Sequence, residues 1–349
     1  MKDGKIRIGL IGAGNIAQNS HIPSYLKIKD VKLAGVYDIN APRAQAVADK
    51  YDMAAHSSLE SLLSDDTLDA VSVCTWNNGH AASAIAASKA GKHVLCEKPM
   101  AMTVAEALAM EAAANESGKV FMMGFVNRFR AESDIIAAMR DKGDFGDIYY
   151  ARTSNLRRRG TPLGWFTDKA KSGGGPVIDI GVHSIDLTWF LMGKPKPLTV
   201  TANTHYAFGD YKTRGVSRWE AFDTDDPVFN VEDSASGTIS FENGKSINFD
   251  VSWAINGEPA MDVILYGDKA GVRFHPLTVY GESAGYLTDN APVYNDENPF
   301  DKEMAHFADC VRTGKTPLAT AADGVAVQRM LCGIYESSKQ NKTVELNLF

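Results

Sequence analysis

The stretch "IRIGLIGAGNIA" (residues 6–17) decides the fold of the first part of the chain. Its apolar half is typical of a buried strand, and its second half matches the G-x-G-x-x-A form of the dinucleotide fingerprint. In that motif Gly12 permits a tight turn, and Gly14 lets the backbone approach a pyrophosphate. The free N–H groups at the start of the following helix, around Asn15 and Ile16, would face the phosphates. Glycines also end many strands for steric reasons alone, so the interpretation depends on the position of the motif between a strand and a helix.

The second predicted strand, "VKLAGVYD", ends at Asp38, which lies 24 residues after Gly14. This separation is close to the ~20 residues expected for the acid that binds the adenosine ribose. A carboxylate accepts hydrogen bonds from both ribose hydroxyls but repels a 2′-phosphate, so Asp38 favours NAD over NADP. Arg43 lies nearby in the next segment and has a simpler interpretation as a solvated charge.

Strands and helices alternate through the first 125 residues. Three further apolar runs, "LDAVSVCT", "HVLCE" and "KVFMMGF", follow helical stretches. Two capping boxes mark helix starts, Ser57 with Glu60 and Thr103 with Glu106. The alternation predicts an α/β N-terminal Rossmann domain with a doubly wound parallel sheet over residues 1–125.

The character of the chain changes after residue 125. Asn243-Gly244, the strongest short signal for a hairpin, separates two β-rich segments. These features predict an α+β C-terminal domain over residues 126–349, with antiparallel strands and with late helices whose packing against either domain stays open. Strands are predicted at residues 147–155, 197–206, 231–241, 245–255 and 260–274.

Composition excludes several classes of protein. The chain has 349 residues, 44% of them hydrophobic and 23% charged, which is average for globular proteins and enough for two domains. No apolar run reaches the ~18 residues that span a bilayer, and the net charge of −7 disfavours nucleic acid or an anionic membrane as a partner. The four cysteines are far apart and form no CxxC or zinc spacing, which predicts reduced thiols, a cytoplasmic location and no bound metal.

The segment "KHVLCEKPMA" (residues 92–101) places a lysine at the end of a buried strand. Pro99 stops regular structure directly after Lys98. The carboxyl ends of the strands are where open α/β sheets bind ligands, so Lys98 is a candidate functional residue. The alternative interpretation is a surface lysine that happens to precede a turn.

A second constellation lies in "SGGGPVIDIGVHSIDLTWFLMG" (residues 172–193). Asp179 and His183 are four residues apart, which puts both side chains on one face of a predicted helix. A carboxylate beside a histidine orients the ring for proton transfer. A capped helix with a packed histidine and a solvated aspartate remains an equal alternative. Asp186 is a competitor for the carboxylate role, with a structural role favoured for it.

"GAGNIA", "CEKP" and "GGGPVIDIGVH", in this order, resemble the Gfo/Idh/MocA family of sugar and inositol oxidoreductases. The resemblance covers nearly the whole chain, and "AGKHVLCEKP" is its most specific part. It implies a Rossmann domain followed by a domain built on a large, mostly antiparallel open sheet. It also implies that Lys98 lies beside the nicotinamide and the substrate hydroxyls, and that Asp179 and His183 complete the catalytic group.

The same resemblance indicates further binding residues. The segment "CTWNNGHA" resembles the nicotinamide end of the family's cofactor site, although a histidine there can also be just part of its helix. Three arginines and a tryptophan in "SNLRRRGTPLGWFTDKAKSGGG" suit a substrate loop, resembling family members that act on pyranosides; core packing of Trp165 is the alternative. The implied cofactor neighbours are Thr75, Asn77, His80 and Glu97, and the implied substrate neighbours are Arg128, Arg158 and Trp165.

Together these features predict an NAD-dependent dehydrogenase of a secondary alcohol in a sugar, inositol or glycoside. Two alternatives stay open: a glycoside-processing enzyme that recycles tightly bound NAD, and a non-catalytic sensor of NAD or sugar. Retention of Lys98 and His183 favours an enzyme. The resemblance further implies a homodimer or homotetramer formed through the sheet of the second domain.

Overall fold

The structure is a computed structural model that describes residues 4–219 and 228–348. The chain divides into two compact units. The first comprises Met1–Val126 and Asn298–Gln328, and the second comprises Asn127–Glu297 and Arg329–Phe349. Each unit contains its own sheet.

The first unit contains a six-stranded sheet in which all neighbouring strands are parallel. Its strands are β1 (Ile6–Ile11), β2 (Val31–Tyr37), β3 (Ala54–Ala55), β4 (Ala70–Val73), β5 (His93–Glu97) and β6 (Phe121–Gly124). Their order, β3-β2-β1-β4-β5-β6, is that of the doubly wound nucleotide-binding fold. The predicted Rossmann sheet is therefore confirmed. β4 and β6 are buried along their whole length, as expected for strands covered on both faces.

The second unit contains a nine-stranded mixed sheet. Its strands are β7 (Ile148–Leu156), β8 (Pro197–His205), β9 (Ser234–Phe241), β10 (Ser246–Ser252), β11 (Ala260–Gly267), β12 (Gly271–Arg273), β13 (Thr278–Ser283), β14 (Tyr286–Asn290) and β15 (Val344–Glu345). The order is β14-β13-β12-β11-β7-β10-β9-β8-β15, and β7 with β10 is the parallel pair in an otherwise antiparallel sheet. The predicted large, mostly antiparallel sheet is confirmed.

The strands, turns and helix caps predicted from the sequence agree with the structure in most places and are wrong in two. The Asn243-Gly244 hairpin is present, with φ of 58° and 73° at the two residues. The single strand predicted at 260–274 is wrong, because the chain turns after Gly267 and forms β11 and β12. The capping box predicted at Ser57 is also wrong: the neighbouring Ser58 is extended and accepts the hydrogen bond from the backbone N–H of Ser61.

The α-helices lie between the strands along the chain, and the last two, α9 and α10, come between β14 and β15. The capping box at Thr103 and Glu106 is confirmed. Within the described residues, no helix is long and apolar enough to cross a bilayer. In chain order the α-helices are α1 (Ile22–Tyr25), α2 (Ala41–Tyr51), α3 (Leu59–Leu63), α4 (Asn77–Lys89), α5 (Val104–Ser117), α6 (Ala131–Lys142), α7 (Lys169–Ser172), α8 (Val182–Leu191), α9 (Pro299–Thr313) and α10 (Ala321–Gln340). Short π-helical turns, Ala17–His21 and Val177–Gly181, run directly into α1 and α8.

Candidate active site

The glycine-rich turn has the geometry that a dinucleotide requires. Gly12 is buried with φ of +96°, and a Cβ there would lie 2.6 Å from the carbonyl oxygen of Cys74, so only glycine fits. A Cβ on Gly14 would meet no described atom within 4 Å. The backbone at Gly14 is thus open to the close approach of a phosphate, and Asn15 and Ile16 after it are partly exposed.

Asp38 follows β2 and exposes 7% of its surface. Its Oδ2 accepts a hydrogen bond from the backbone N–H of Ala13 at 2.7 Å, which ties the acid to the glycine turn. Its Oδ1 accepts from the N–H of Asn40 at 2.7 Å. Arg43 donates to both oxygens, at 3.2 and 2.9 Å, and is an ion-pair partner rather than a solvated charge. The carboxylate fits a ribose site, but ribose hydroxyls would compete with Arg43 for it.

Lys98 lies half-buried in the turn after β5. The preceding Glu97 is buried, and its carboxylate accepts hydrogen bonds from the backbone N–H of Lys98 at 3.2 Å and from His21 Nε2 at 2.9 Å. Glu97, predicted as a cofactor neighbour, therefore directs its carboxylate into the protein. His21 was not indicated by the sequence analysis, because its partner is 76 residues away along the chain.

The three candidates of the "CTWNNGHA" segment lie at the start of α4. Thr75 is half-buried, and Asn77 is the first residue of the helix and 7% exposed. His80 is 1% exposed, with Nδ1 2.7 Å from the carbonyl oxygen of Pro99 and Nε2 3.2 Å from that of Thr75. The His80 ring thus contacts the turn that carries Lys98 and so helps to hold that turn in place.

Asp179 and His183 differ from every residue around them. Within residues 174–192, all of which the structure describes, they are the two that are not buried. Asp179 lies in the π-helical turn Val177–Gly181, so the four-residue spacing is not that of a regular α-helix as the sequence predicted. Such turns are frequent at functional sites. Two polar, partly exposed side chains in an otherwise buried segment are what a substrate-binding surface requires.

Two buried polar contacts hold this segment in place. Trp253 is fully buried and donates its indole N–H to Asp179 Oδ2 at 3.0 Å, which orients the carboxylate. Glu232, 1% exposed, accepts from the backbone N–H groups of Gly175 at 3.0 Å and Val177 at 3.2 Å. Tyr335 donates its hydroxyl to the same carboxylate at 2.7 Å. Burial raises the pKa of Glu232, while the hydrogen bonds from Tyr335 and Gly175 oppose that rise.

The structure does not support a substrate contact for Arg128. Its side chain is fully buried, forms a two-point ion pair with Asp186 at 2.6 and 3.1 Å, and lies 4.8 Å from the ring centre of Phe190. The structural role favoured for Asp186 agrees with this pair.

Arg158 and Trp165 remain accessible. Arg158 is exposed in the loop after β7, and Trp165 is half-buried and stacks on Phe166 with ring centres 4.0 Å apart. Phe166 in turn packs against the buried cluster that contains Trp253. Across residues 4–219 and 228–348, no group of three His, Cys, Asp or Glu side chains is arranged to hold a metal ion.

Comparisons with known proteins agree with the fold and the cofactor geometry. Residues 6–125 match the model of an oxidoreductase family with an NAD-binding Rossmann fold, and residues 139–346 match the C-terminal alpha/beta domain of the same family, GFO_IDH_MocA. The D-glucoside 3-dehydrogenase of Escherichia coli (strain K12) is 34% identical over 99% of this chain and 99% of its own length. The D-xylose 1-dehydrogenase (NADP(+)) 2 of Haloferax volcanii is 27% identical, covering 97% and 99%. The crystal structure of an oxidoreductase domain protein from Kribbella flavida is 26% identical, with a TM-score of 0.85 and coverage of 98% and 99%.

Proposed function

The chain belongs to the Gfo/Idh/MocA family of oxidoreductases, and on that premise we propose that it is an NAD-dependent dehydrogenase of a ring hydroxyl in a glycoside or related sugar. The observation that carries this proposal is the match over 99% of both chains to a D-glucoside 3-dehydrogenase. Lys98, Asp179 and His183 of this chain are all partly exposed, as the proposed roles require. A regulator or a hydride-recycling glycosidase gains no support from the relatives named above, which are dehydrogenases.

Each candidate residue has a distinct part in the proposed chemistry. When bound, NAD supplies the nicotinamide that accepts the hydride from the substrate carbon. His183 accepts the proton of the reacting hydroxyl as general base. Asp179, oriented by Trp253, accepts a hydrogen bond from a neighbouring hydroxyl. Lys98 stabilises the negative charge that develops on the reacting oxygen.

Aromatic side chains favour a pyranoside over an acyclic polyol. Trp165 stacks on Phe166, and Trp219, 52% exposed, meets the same ring edge-on at 5.3 Å between ring centres. The N–H of Leu163 donates to the carbonyl of Trp219 at 2.8 Å and joins the two segments. Flat aromatic faces suit the apolar C–H face of a sugar ring. Arg158 in the preceding loop would bind its hydroxyls.

NADH formation tests the function. Purified protein is mixed with NAD and, in separate reactions, methyl glucosides, free hexoses and inositols; we expect a substrate-dependent rise in NADH absorbance with a glucoside. A matched Lys98→Met variant should bind NAD with an unchanged Kd while losing most of the turnover, roughly 10²-fold or more. An active Lys98→Met variant, or no NADH from any sugar in the panel, would overturn the proposal.

The assembly and the location belong to the same proposal. One face of the nine-stranded sheet carries a row of polar side chains, in which Thr238 donates to Asn248 at 2.9 Å and Asn248 to Tyr150 at 3.1 Å. A homodimer or homotetramer would cover this face, and light scattering on the purified protein measures its mass. The four free cysteines favour a reducing, cytoplasmic compartment.

A further inference from the structure

A buried cluster of ionisable side chains lies beside the turn that carries Lys98. It consists of His21, Cys74, Glu97 and Glu303, each at most 6% exposed. They come from four places in the first unit: the π-helical turn Ala17–His21, the residue directly after β4, the strand β5 and the helix α9. Buried charges are costly unless they are paired, so this cluster requires an explanation.

Glu97 connects the cluster to Lys98. One carboxylate oxygen, Oε1, lies 2.9 Å from His21 Nε2, and the other, Oε2, accepts the backbone N–H of Lys98 at 3.2 Å. The paired residue on β6 is Gly124, where a Cβ would lie 3.0 Å from Glu97 Oε1. The neighbouring strand thus leaves just enough room for the carboxylate in this orientation.

The charges within the cluster are settled by its neighbours. Burial lowers the pKa of His21, but contacts with Cys74 and Glu97 raise it above the ordinary value, and the 2.9 Å contact with the Glu97 carboxylate favours the imidazolium form. Burial raises the pKa of Cys74, which is therefore a thiol. Burial and the charge of Glu97 hold the pKa of Glu303 well above its ordinary value, so Glu303 is neutral. Burial also opposes ionisation of Glu97, yet the hydrogen bond from His21 lowers its pKa. The cluster is therefore one ion pair, His21 with Glu97.

A second buried histidine holds the other side of the same turn. His80 lies 2.7 Å from the carbonyl oxygen of Pro99, the residue after Lys98. Burial lowers the pKa of His80, so its ring is neutral and its single N–H is assigned to this shorter contact. The backbone N–H of Lys98 and the carbonyl of Pro99 are thus both hydrogen-bonded to groups that are almost completely buried.

We propose that His21 is a positioning residue for Lys98: through the Glu97 carboxylate, and opposite His80, it fixes the backbone of the Lys98–Pro99 turn so that the amine is presented in one place. We call this arrangement of His21, Glu97 and His80 around the Lys98–Pro99 turn the clamp. Its effect on turnover rests on the proposed function, but the clamp itself does not. Two measurements therefore separate the clamp from the activity.

Hydrogen exchange at the Lys98 amide tests the clamp without any substrate. His21→Leu removes the donor, and we expect exchange at this amide to be about tenfold faster. His21→Gln keeps a hydrogen-bond donor without the charge and should give an intermediate exchange rate. If the leucine variant does not fold, the test uses the glutamine variant alone. His93→Gln is the matched control, because His93 accepts a backbone N–H at the other end of β5 and should leave the Lys98 amide unchanged. Unchanged exchange in folded His21 variants would overturn the proposal.

Turnover in a Lys98→Met background tests whether His21 acts through Lys98. In the otherwise native enzyme, His21→Gln should lower kcat up to about 10²-fold while the Kd for NAD changes less than threefold. In the Lys98→Met background the same substitution should lower kcat by less than twofold, because residues that act as one unit are not additive. Losses that multiply would show that His21 acts elsewhere and would overturn the positioning role. Absence of any dehydrogenase activity would count against the proposed function, and the exchange rates would still decide the clamp.

Discussion

Asp38 is occupied on both carboxylate oxygens by Ala13, Asn40 and Arg43. Its negative charge repels a 2′-phosphate, and it also binds the guanidinium of Arg43, which could otherwise bind such a phosphate. Both effects favour NAD, and both depend on the same carboxylate. One relative, at 27% identity, is named for NADP(+), the cofactor whose 2′-phosphate Asp38 would repel.

Asp38→Asn should therefore relax cofactor choice. We expect the ratio of kcat/KM for NAD over NADP to fall at least about tenfold, because like-charge repulsion of several kcal/mol is removed and Arg43 is released. Initial rates with each cofactor measure the ratio. The double variant Asp38→Asn with Arg43→Gln is the control and should lose most of the gain with NADP. An unchanged ratio in the single variant would show that Asp38 does not face the ribose.

Individual residues differed in how far the sequence could identify them. Lys98, Asp179 and His183 stand in short local motifs, and all three are accessible as expected, while their catalytic roles stay predictions. Their supports are not local: His21 meets Glu97 across 76 residues, and Trp253 meets Asp179 across 74. No pattern in one sequence links such distant positions. The substrate contact predicted for Arg128 lacks structural support for a similar reason. Its side chain is buried in an ion pair with Asp186, and no local pattern in the sequence shows this pairing.

At the scale of elements, α8 and the π-helical turn before it depend on a buried cap. The backbone N–H groups of Gly175 and Val177, at the start of this segment, donate hydrogen bonds to Glu232, which belongs to a different part of the chain. The sequence predicted this helix from its glycines, proline and apolar run, and it predicted neither the π-helical backbone nor the cap. A π turn adds one residue without a local signature, and the cap requires the tertiary fold.

Glu232→Gln should damage this helix selectively. Gly175, Val177 and Tyr335 all donate to Oε1 of Glu232, and Gly175 donates to Oε2 as well. The amide replaces one of these oxygens by an NH2 donor that faces the Gly175 N–H, so we expect a loss of about 1–3 kcal/mol of unfolding free energy. Turnover should fall more than NAD affinity, because the glycine turn and Asp38 belong to the other unit. Urea unfolding, kcat and the Kd for NAD are the measurements. Glu242→Gln is the control, since Glu242 is exposed and accepts one backbone N–H; equal losses in both variants would contradict a specific capping role.

At the scale of the whole molecule, the sequence supplied both sheet types because strand and helix periodicity extends over many residues. The parallel, doubly wound character of the first sheet followed from the alternation of strands and helices, whereas its strand order was not predicted. The mixed pairing of β7 with β10 could not be read from the sequence, because parallel and antiparallel neighbours share the same alternation. The free energy of unfolding also belongs to the whole molecule, and one buried side chain, Glu303, makes it depend on pH.

Glu303 should make the protein less stable as the pH rises. Among the residues that the structure describes, neither of its carboxyl oxygens has a hydrogen-bond partner, and burial followed by the charge of Glu97 raises its pKa well above the ordinary ~4.3. Above that ordinary value the unfolded chain has released the proton that the folded protein retains. Unfolding is therefore favoured as the pH rises, by up to about 1.4 kcal/mol for each pH unit below the folded pKa.

Glu303→Gln removes this ionisation while keeping the shape of the side chain. We expect the variant to gain unfolding free energy relative to the native protein, with a gain that is larger at pH 8 than at pH 5.5, as measured by urea unfolding at a series of pH values. Glu116→Gln, an exposed substitution on α5, should show no such trend. A gain that does not change with pH would mean that Glu303 is ionised in the folded protein. In that case the cluster would contain a second buried carboxylate, and the assignment of a single ion pair, His21 with Glu97, would have to be abandoned.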